Sequence, residues 1–162
     1  TFKSWIEAEL DLRREAANAS ELAEILAGEP DFVVPRVDWQ RSTRRCLVID
    51  WIDGVKLSNN AAIAGLDIDR PHLARVLVNG FLAQAIAKGF FHADLHQGNL
   101  FLIPPGEDCD HARIGVIDFG IMGRINRRAR LYLAEILHGL VTGNYARVAE
   151  IHFEAGYVPP HH

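Results

Sequence analysis

A chain of 162 residues, 49% hydrophobic and 23% charged, holds enough apolar material for one buried core and reads as a single globular unit. Its net charge of -4, with no long run of like charge, weighs against a general nucleic-acid binder, and the interrupted basic clusters Arg44-Arg45 and Arg124 to Arg130 read as solvated faces. The two cysteines, Cys46 and Cys109, lie far apart without CxxC spacing. That spacing speaks against a disulfide framework and a cysteine zinc site and fits a reducing compartment, and no apolar run approaches the ~20 residues that span a bilayer.

Helical periodicity begins at the first residues, so the chain reads as a piece of a longer protein. Residues 2–27 predict one helix, with Trp5, Ile6, Leu10, Ala17, Leu22 and Ile25 along a stripe and Gly28 and Pro30 ending it. Phe32 to Pro35 and Cys46 to Ile52 predict an antiparallel strand pair around a polar turn, closed by Asp53-Gly54. Trp39 and Trp51 are expected in core or edge packing. Asp69 as N-cap and Pro71 in the first turn open a long apolar helix to about Lys88. Strands at Leu100–Ile103 and Ile114–Ile117 flank the loop Pro104–His111, and helices over about 127–141 and 145–154 close the chain. This order predicts an α+β domain rather than a doubly wound sheet or a helical bundle.

One stretch is unusually rich in functional groups: His92 to Asn99, HADLHQGN, between two apolar runs. Three readings compete. On a strand, His92, Asp94 and His96 would share a face and could bind zinc, but nothing fixes His111 or His138 nearby to complete the ligand set. A polar turn with a satisfied core histidine is the bland reading, costly for so many polar groups between buried segments. The third reading joins Asp94 and Asn99 to Asp118-Phe119-Gly120, one hairpin downstream. Phosphoryl transfer of the kinase type needs a carboxylate near the attacking hydroxyl or water, and an amide oxygen and second carboxylate for magnesium. Hard oxygen ligands suit magnesium better than zinc, so this spacing predicts a catalytic loop.

These residues resemble the UbiB family of atypical protein-kinase-like proteins, whose loop usually reads HxDxHPGN. Glu9-Leu10-Asp11 resembles that family's ExD motif, Arg14 to Ala19 resembles the stretch that follows it, and VAEIHFEAGYVPP is similar to the ending of bacterial members. The resemblance covers essentially the whole chain, 1–162, as a single partial protein-kinase-like domain: mainly the helical C-terminal lobe, plus the helix and β-strands next to the nucleotide cleft. It implies binding of ATP and Mg2+ and ATPase rather than ordinary protein-kinase activity. It also implies a role in ubiquinone biosynthesis with lipid or quinone-pathway partners, at the cytoplasmic side of the bacterial inner membrane, attached through regions outside this chain. Asp94 would be the catalytic-loop aspartate, and Asn99 and Asp118 the magnesium ligands. Gln97 departs from the family proline, which frees one backbone dihedral without removing a ligand.

On a regular helix, Glu9 and Asp11 point about 200° apart, so only one can face the cleft. Glu9 is taken as the partner of a nucleotide-positioning lysine, against the plainer reading of a surface pair with Arg13. His96 is expected to hold the loop by hydrogen bonds, and 47–52 stands where a kinase hinge would lie. The phosphate-covering loop and the lysine of a preceding strand are absent from the chain, so alone it is not expected to be a competent enzyme. The segment from Ile121 to Asn126 leads directly into a helix, favouring a small or lipid-linked substrate, or water, over a peptide. The rivals are an aminoglycoside- or choline-kinase-like phosphotransferase and a nucleotide-binding pseudokinase scaffold.

Overall fold

The computed structural model describes residues 10–107 and 109–159. Helix α1 (Leu12–Ile25) starts at Asp11, whose extended backbone and side chain, accepting from the Arg13 N–H, make it the N-cap. The expected single helix over 2–27 is therefore corrected: a residue that caps a helix cannot also lie inside it. Ala16, Ala19, Leu22 and Leu26 follow helical spacing and are buried, so α1 packs through a narrow, small-residue stripe.

After α1 come strands β1 (Phe32–Val33) and β2 (Val55–Lys56), helix α2 (Asn60–Ala64) and helix α3 (Arg70–Leu82). The main sheet is completed by β4 (Leu100–Ile103) and β5 (Arg113–Val116), in the order β1-β5-β4-β2. Its β4–β5 hairpin pairs Leu100 with Val116 and Ile103 with Arg113. Leu100, Leu102, Ile114 and Val116 are buried and join α1, Phe32 and Leu73 in one core. Each such side chain contributes about 1.5–3 kcal/mol by leaving water.

The β1 pairing departs from expectation. Phe32–Val33 runs parallel to β5 rather than antiparallel to residues 46–52. Pro35 has no N–H to donate, which ends β1 early, and beyond it the chain meets 48–50 through an isolated antiparallel Val37–Ile49 bridge, flanked by the Asp38 N–H to Val48 O and Asp50 N–H to Arg36 O bonds of 2.9 Å each. Residues 46–52 are thus not a regular strand. Trp51 is 90% exposed and Trp39 52%, against the expectation of packing for both.

Helix α3 has the predicted cap, the Asp69 side chain accepting from His72 N–H at 2.9 Å. Its α-helical part stops at Leu82, and residues 83–88 form a π-helical turn ending at Gly89, with φ 75 and a Gly89 N–H to Gln84 O bond of 2.8 Å. The guanidinium of Arg130 holds that turn, donating to the carbonyls of Ile86 at 2.7 Å, of Ala87, and of Lys88 at 3.5 Å.

Two short strands, β3 (Phe90–His92) and β6 (Met122–Arg124), form a separate antiparallel pair that clasps the polar loop. Helices α4 (Arg127–Thr142) and α5 (Tyr145–Glu154) follow, near the predicted limits. Among the described residues no helix is long and apolar enough to cross a membrane.

Candidate functional site

The β4–β5 hairpin positions the site. Asn99 immediately precedes β4 and Ile117 immediately follows β5, and the Ile117 N–H donates to Asn99 O at 3.0 Å, extending the ladder by one step. Asn99 and Asp118 therefore leave the sheet side by side. The β3–β6 pair brings the two loops together again, with the Ala93 N–H donating to Ile121 O at 3.0 Å.

His92 is the internal post of this arrangement. It is 1% exposed, its Nδ1 accepts from Asp94 N–H at 3.2 Å, and its Nε2 lies 3.3 Å from Ile117 O. An acceptor Nδ1 requires the proton on Nε2, which then donates to the carbonyl. With both nitrogens committed, His92 has no lone pair for a metal, and the zinc reading of this loop loses its first ligand. The ring also meets Phe119 edge-on, centroids 6.0 Å apart.

The loop is tied internally. His96 Nδ1 accepts from Gly98 N–H at 3.0 Å, in keeping with its expected loop-holding role, while Nε2 stands 3.7 Å from the Asp94 carboxylate. Asn99 is buried, and its Nδ2 donates to Asp94 O at 3.2 Å, which directs the amide nitrogen into the loop and leaves Oδ1 as the atom available to accept or coordinate. Asp118 is exposed and has φ 66, the sole positive-φ non-glycine residue among those described. Such backbone at a loop junction aims a side chain away from the sheet and clusters at functional sites. An amide oxygen and an exposed carboxylate on adjoining loops fit a hard, oxygen-seeking cation such as magnesium.

Glu9 lies outside the described residues. Asp11 is turned to Arg13 and Arg44; the Arg13 guanidinium, hydrogen-bonded to it, holds its carboxyl down to about 2. Arg13 is thereby engaged by Asp11.

Two residues of the Arg14–Ala19 stretch belong to the site although sequence reasoning gave neither a role. The Glu15 carboxylate accepts the Phe119 N–H at 3.1 Å, and Asn18 Nδ2 donates to Phe119 O at 2.8 Å. Burial raises the Glu15 pKa above its usual value; the Phe119 N–H partly offsets this, and the charge of Asp118 adds to it. The signal was present: Glu15 and Asn18 are polar groups beside the buried Ala16 and Ala19.

Residues 1–152 match the family model described as the ABC1 atypical kinase-like domain. The probable protein kinase UbiB of Xanthomonas campestris pv. campestris (strain B100) is 39% identical over 158 residues, covering 98% of this chain and 28% of the relative. The probable protein kinase UbiB of Xylella fastidiosa (strain M23) is 37% identical over 160 residues, covering 99% and 29%. The chain thus spans less than a third of the length of these curated relatives. A solved complex of Rv3197 with erythromycin, from Mycobacterium tuberculosis, is similar with a TM-score of 0.67 and 26% identity, over 99% of this chain and 39% of that one.

Proposed function

The chain belongs to the ABC1 atypical kinase-like family, with an α+β, protein-kinase-like fold, and from that premise we propose that it supplies the catalytic and metal-holding half of a Mg-ATP site. The protein would be a UbiB-type kinase or ATPase supporting ubiquinone biosynthesis at the cytoplasmic face of the bacterial inner membrane. The residues 1–162 would be one partial kinase-like domain, completed by the lobe that carries the phosphate-covering loop and lysine.

The carrying observation is the exit of Asn99 and Asp118 from one hairpin end, with Asp94 on the loop that Asn99 closes. Asn99 and Asp118 would hold magnesium, which when bound neutralises charge on the nucleotide phosphates. Asp94, fixed through its backbone N–H on His92, would accept a hydrogen bond from the attacking hydroxyl or water and orient it. Glu9, expected from the sequence to partner the nucleotide-positioning lysine, would face the nucleotide from the segment before α1, and the lysine itself is assigned instead to Glu15. Glu15 is the described carboxylate best prepared for a cation, because it is partly buried beside Asp118 and its proton affinity is already raised. A lysine from the preceding lobe would meet that need.

A small or lipid-linked substrate, or water, fits better than a peptide. The residues after Gly120 are pinned as β6 against β3 and run straight into α4, leaving no free segment for a peptide to dock on. The family match supports this reading over an aminoglycoside-kinase-like enzyme.

The test is restoration of ubiquinone synthesis in a bacterial strain lacking its UbiB-type protein. The full-length protein should restore it, and an Asp94→Asn variant of equal abundance should fail, with ATP turnover lower by ~100-fold or more. Full restoration by the variant would replace catalysis with a nucleotide-binding scaffold.

A further inference from the structure

At the closed end of the β4–β5 hairpin, remote from Asn99 and Asp118, the fold gathers four side chains that the proposed reaction does not use. Asp31 precedes β1, Cys109 and His111 lie in the hairpin connection, and His72 stands in the first turn of α3. Ligand atoms of Asp31, Cys109 and His111 all lie within 4.8 Å of one another. His111 Nε2 is 2.8 Å from Asp31 Oδ1 and 3.4 Å from Cys109 Sγ. His72 Nε2 is 3.4 Å from the other Asp31 oxygen.

We propose that Asp31, His72, Cys109 and His111 form a binding site for a zinc-like divalent transition metal. The donor set is one thiolate, two imidazoles and one carboxylate, which suits zinc and not magnesium or calcium. Ligands on a tetrahedral zinc stand roughly 3.3–3.7 Å apart, given bond lengths near 2.0–2.3 Å. The Cys109–His111 separation already has that value, and the Asp31–His111 pair needs to open by about half an ångström; His72 stands outside this trio, 3.4 Å from the second Asp31 oxygen, and reaches the metal as fourth ligand by a side-chain movement.

Four further observations fit. His72 Nε2 is buried and makes no hydrogen bond, with an Asp31 oxygen 3.4 Å away, a rare state for an imidazole nitrogen. His111 Nδ1 is held 2.8 Å from the Asp110 carboxylate, the outer support that orients a ligating histidine and leaves Nε2 to the metal. Backbone positions are set in advance: Ile114 N–H donates to Asp31 O at 2.8 Å, and Gly106 and Cys109 bridge across the turn. A cleft of about 430 Å³ lined by Asp69, His72, Asp110 and His111 gives an ion access.

Cysteine spacing argued against a cysteine zinc site, because neither cysteine has a second one nearby. The fold instead completes the set from three separate segments. A metal here would tie the hairpin connection to the start of β1 and of α3, bracing the strands whose opposite ends carry Asn99 and Asp118.

The test is Co2+ titration of the full-length protein, read by absorbance, with Zn2+ competition. The site predicts one Co2+ per chain with a thiolate-to-cobalt charge-transfer band and intense tetrahedral visible bands, displaced by Zn2+. The thiolate band should vanish in Cys109→Ser and persist in Cys46→Ser. His72→Ala and His111→Ala should weaken binding by more than ~10-fold, and Asp110→Asn by ~10–100-fold, each with an unchanged circular dichroism spectrum. A cation held by Asn99 and Asp118 would give no thiolate band. Absence of that band in the wild type, its persistence in Cys109→Ser, or affinities unchanged in both histidine variants would overturn the site.

Discussion

The N–H of Phe119 donates to the carboxylate of Glu15 at 3.1 Å, linking residues 104 positions apart in the chain. Asn18 receives the other half of that peptide neighbourhood by donating to Phe119 O at 2.8 Å. Helix α1 therefore reads both backbone polar groups of Phe119, whose ring is fully buried. Any shift of α1 is felt at Asp118, the residue just before.

That link makes Glu15→Gln informative. The amide keeps an acceptor for the Phe119 N–H and removes a partly buried charge. Burial raises the Glu15 pKa above 4.5, so its contribution favours the folded state below that value and is lost as pH rises through the raised pKa. In the 162-residue chain, the stability of Glu15→Gln relative to wild type should therefore increase from pH 4 toward pH 7 in urea titrations. A difference independent of pH would contradict the account. A lysine facing Glu15 in the full-length protein would reverse the trend.

Arg130 should matter to stability although it stands far from the site in sequence. Its guanidinium satisfies carbonyls at the end of the π-helical turn that leads into β3. Arg130→Met keeps most of the apolar volume and leaves those carbonyls without their charged donor, and should cost roughly 1–3 kcal/mol in urea midpoint analysis. A loss under about 0.5 kcal/mol would mean that water replaces the guanidinium at no cost.

Gly89 closes the same turn with φ 75, and a Cβ there would come within 2.5 Å of Ile125 O. Gly89→Ala should destabilise by roughly 1–3 kcal/mol, from backbone strain and this contact. Gly28→Ala is the matched comparison, because nothing lies within 4 Å of its Cβ position, and should stay within about 0.5 kcal/mol of wild type. Equal effects of the two would refute the strain argument.

The polar loop was legible because its chemistry is local: Asp94 and Asn99 sit on one turn, and Asp118 follows one hairpin later. The caps at Asp69 and the final helices were legible for the same reason. Glu15 showed only as a polar group beside buried alanines, and its partner was hidden, since that depends on the approach of Phe119 from across the domain. Strands β3 and β6 escaped because three residues carry no periodicity, and their pairing of Phe90 with Arg124 is a tertiary event. The parallel β1–β5 contact was hidden for a related reason: two residues at Phe32–Val33 do not reveal their partner. Asp11 was read as helix interior, whereas its side chain caps the N-terminus and starts the helix. The cluster around His111 was invisible because Asp31, His72 and Cys109 come from separate segments.

Whether Asn99 and Asp118 hold magnesium-bound nucleotide is read from thermal unfolding of the full-length protein with and without Mg-ATP, beside Asp118→Asn. Asparagine tolerates the left-handed backbone that Asp118 adopts at φ 66, so this variant should fold while losing the charge. At ~100 times its dissociation constant, Mg-ATP should stabilise the wild type by roughly 2.7 kcal/mol and the variant far less. No stabilisation of the wild type, or equal stabilisation of both, would contradict the account.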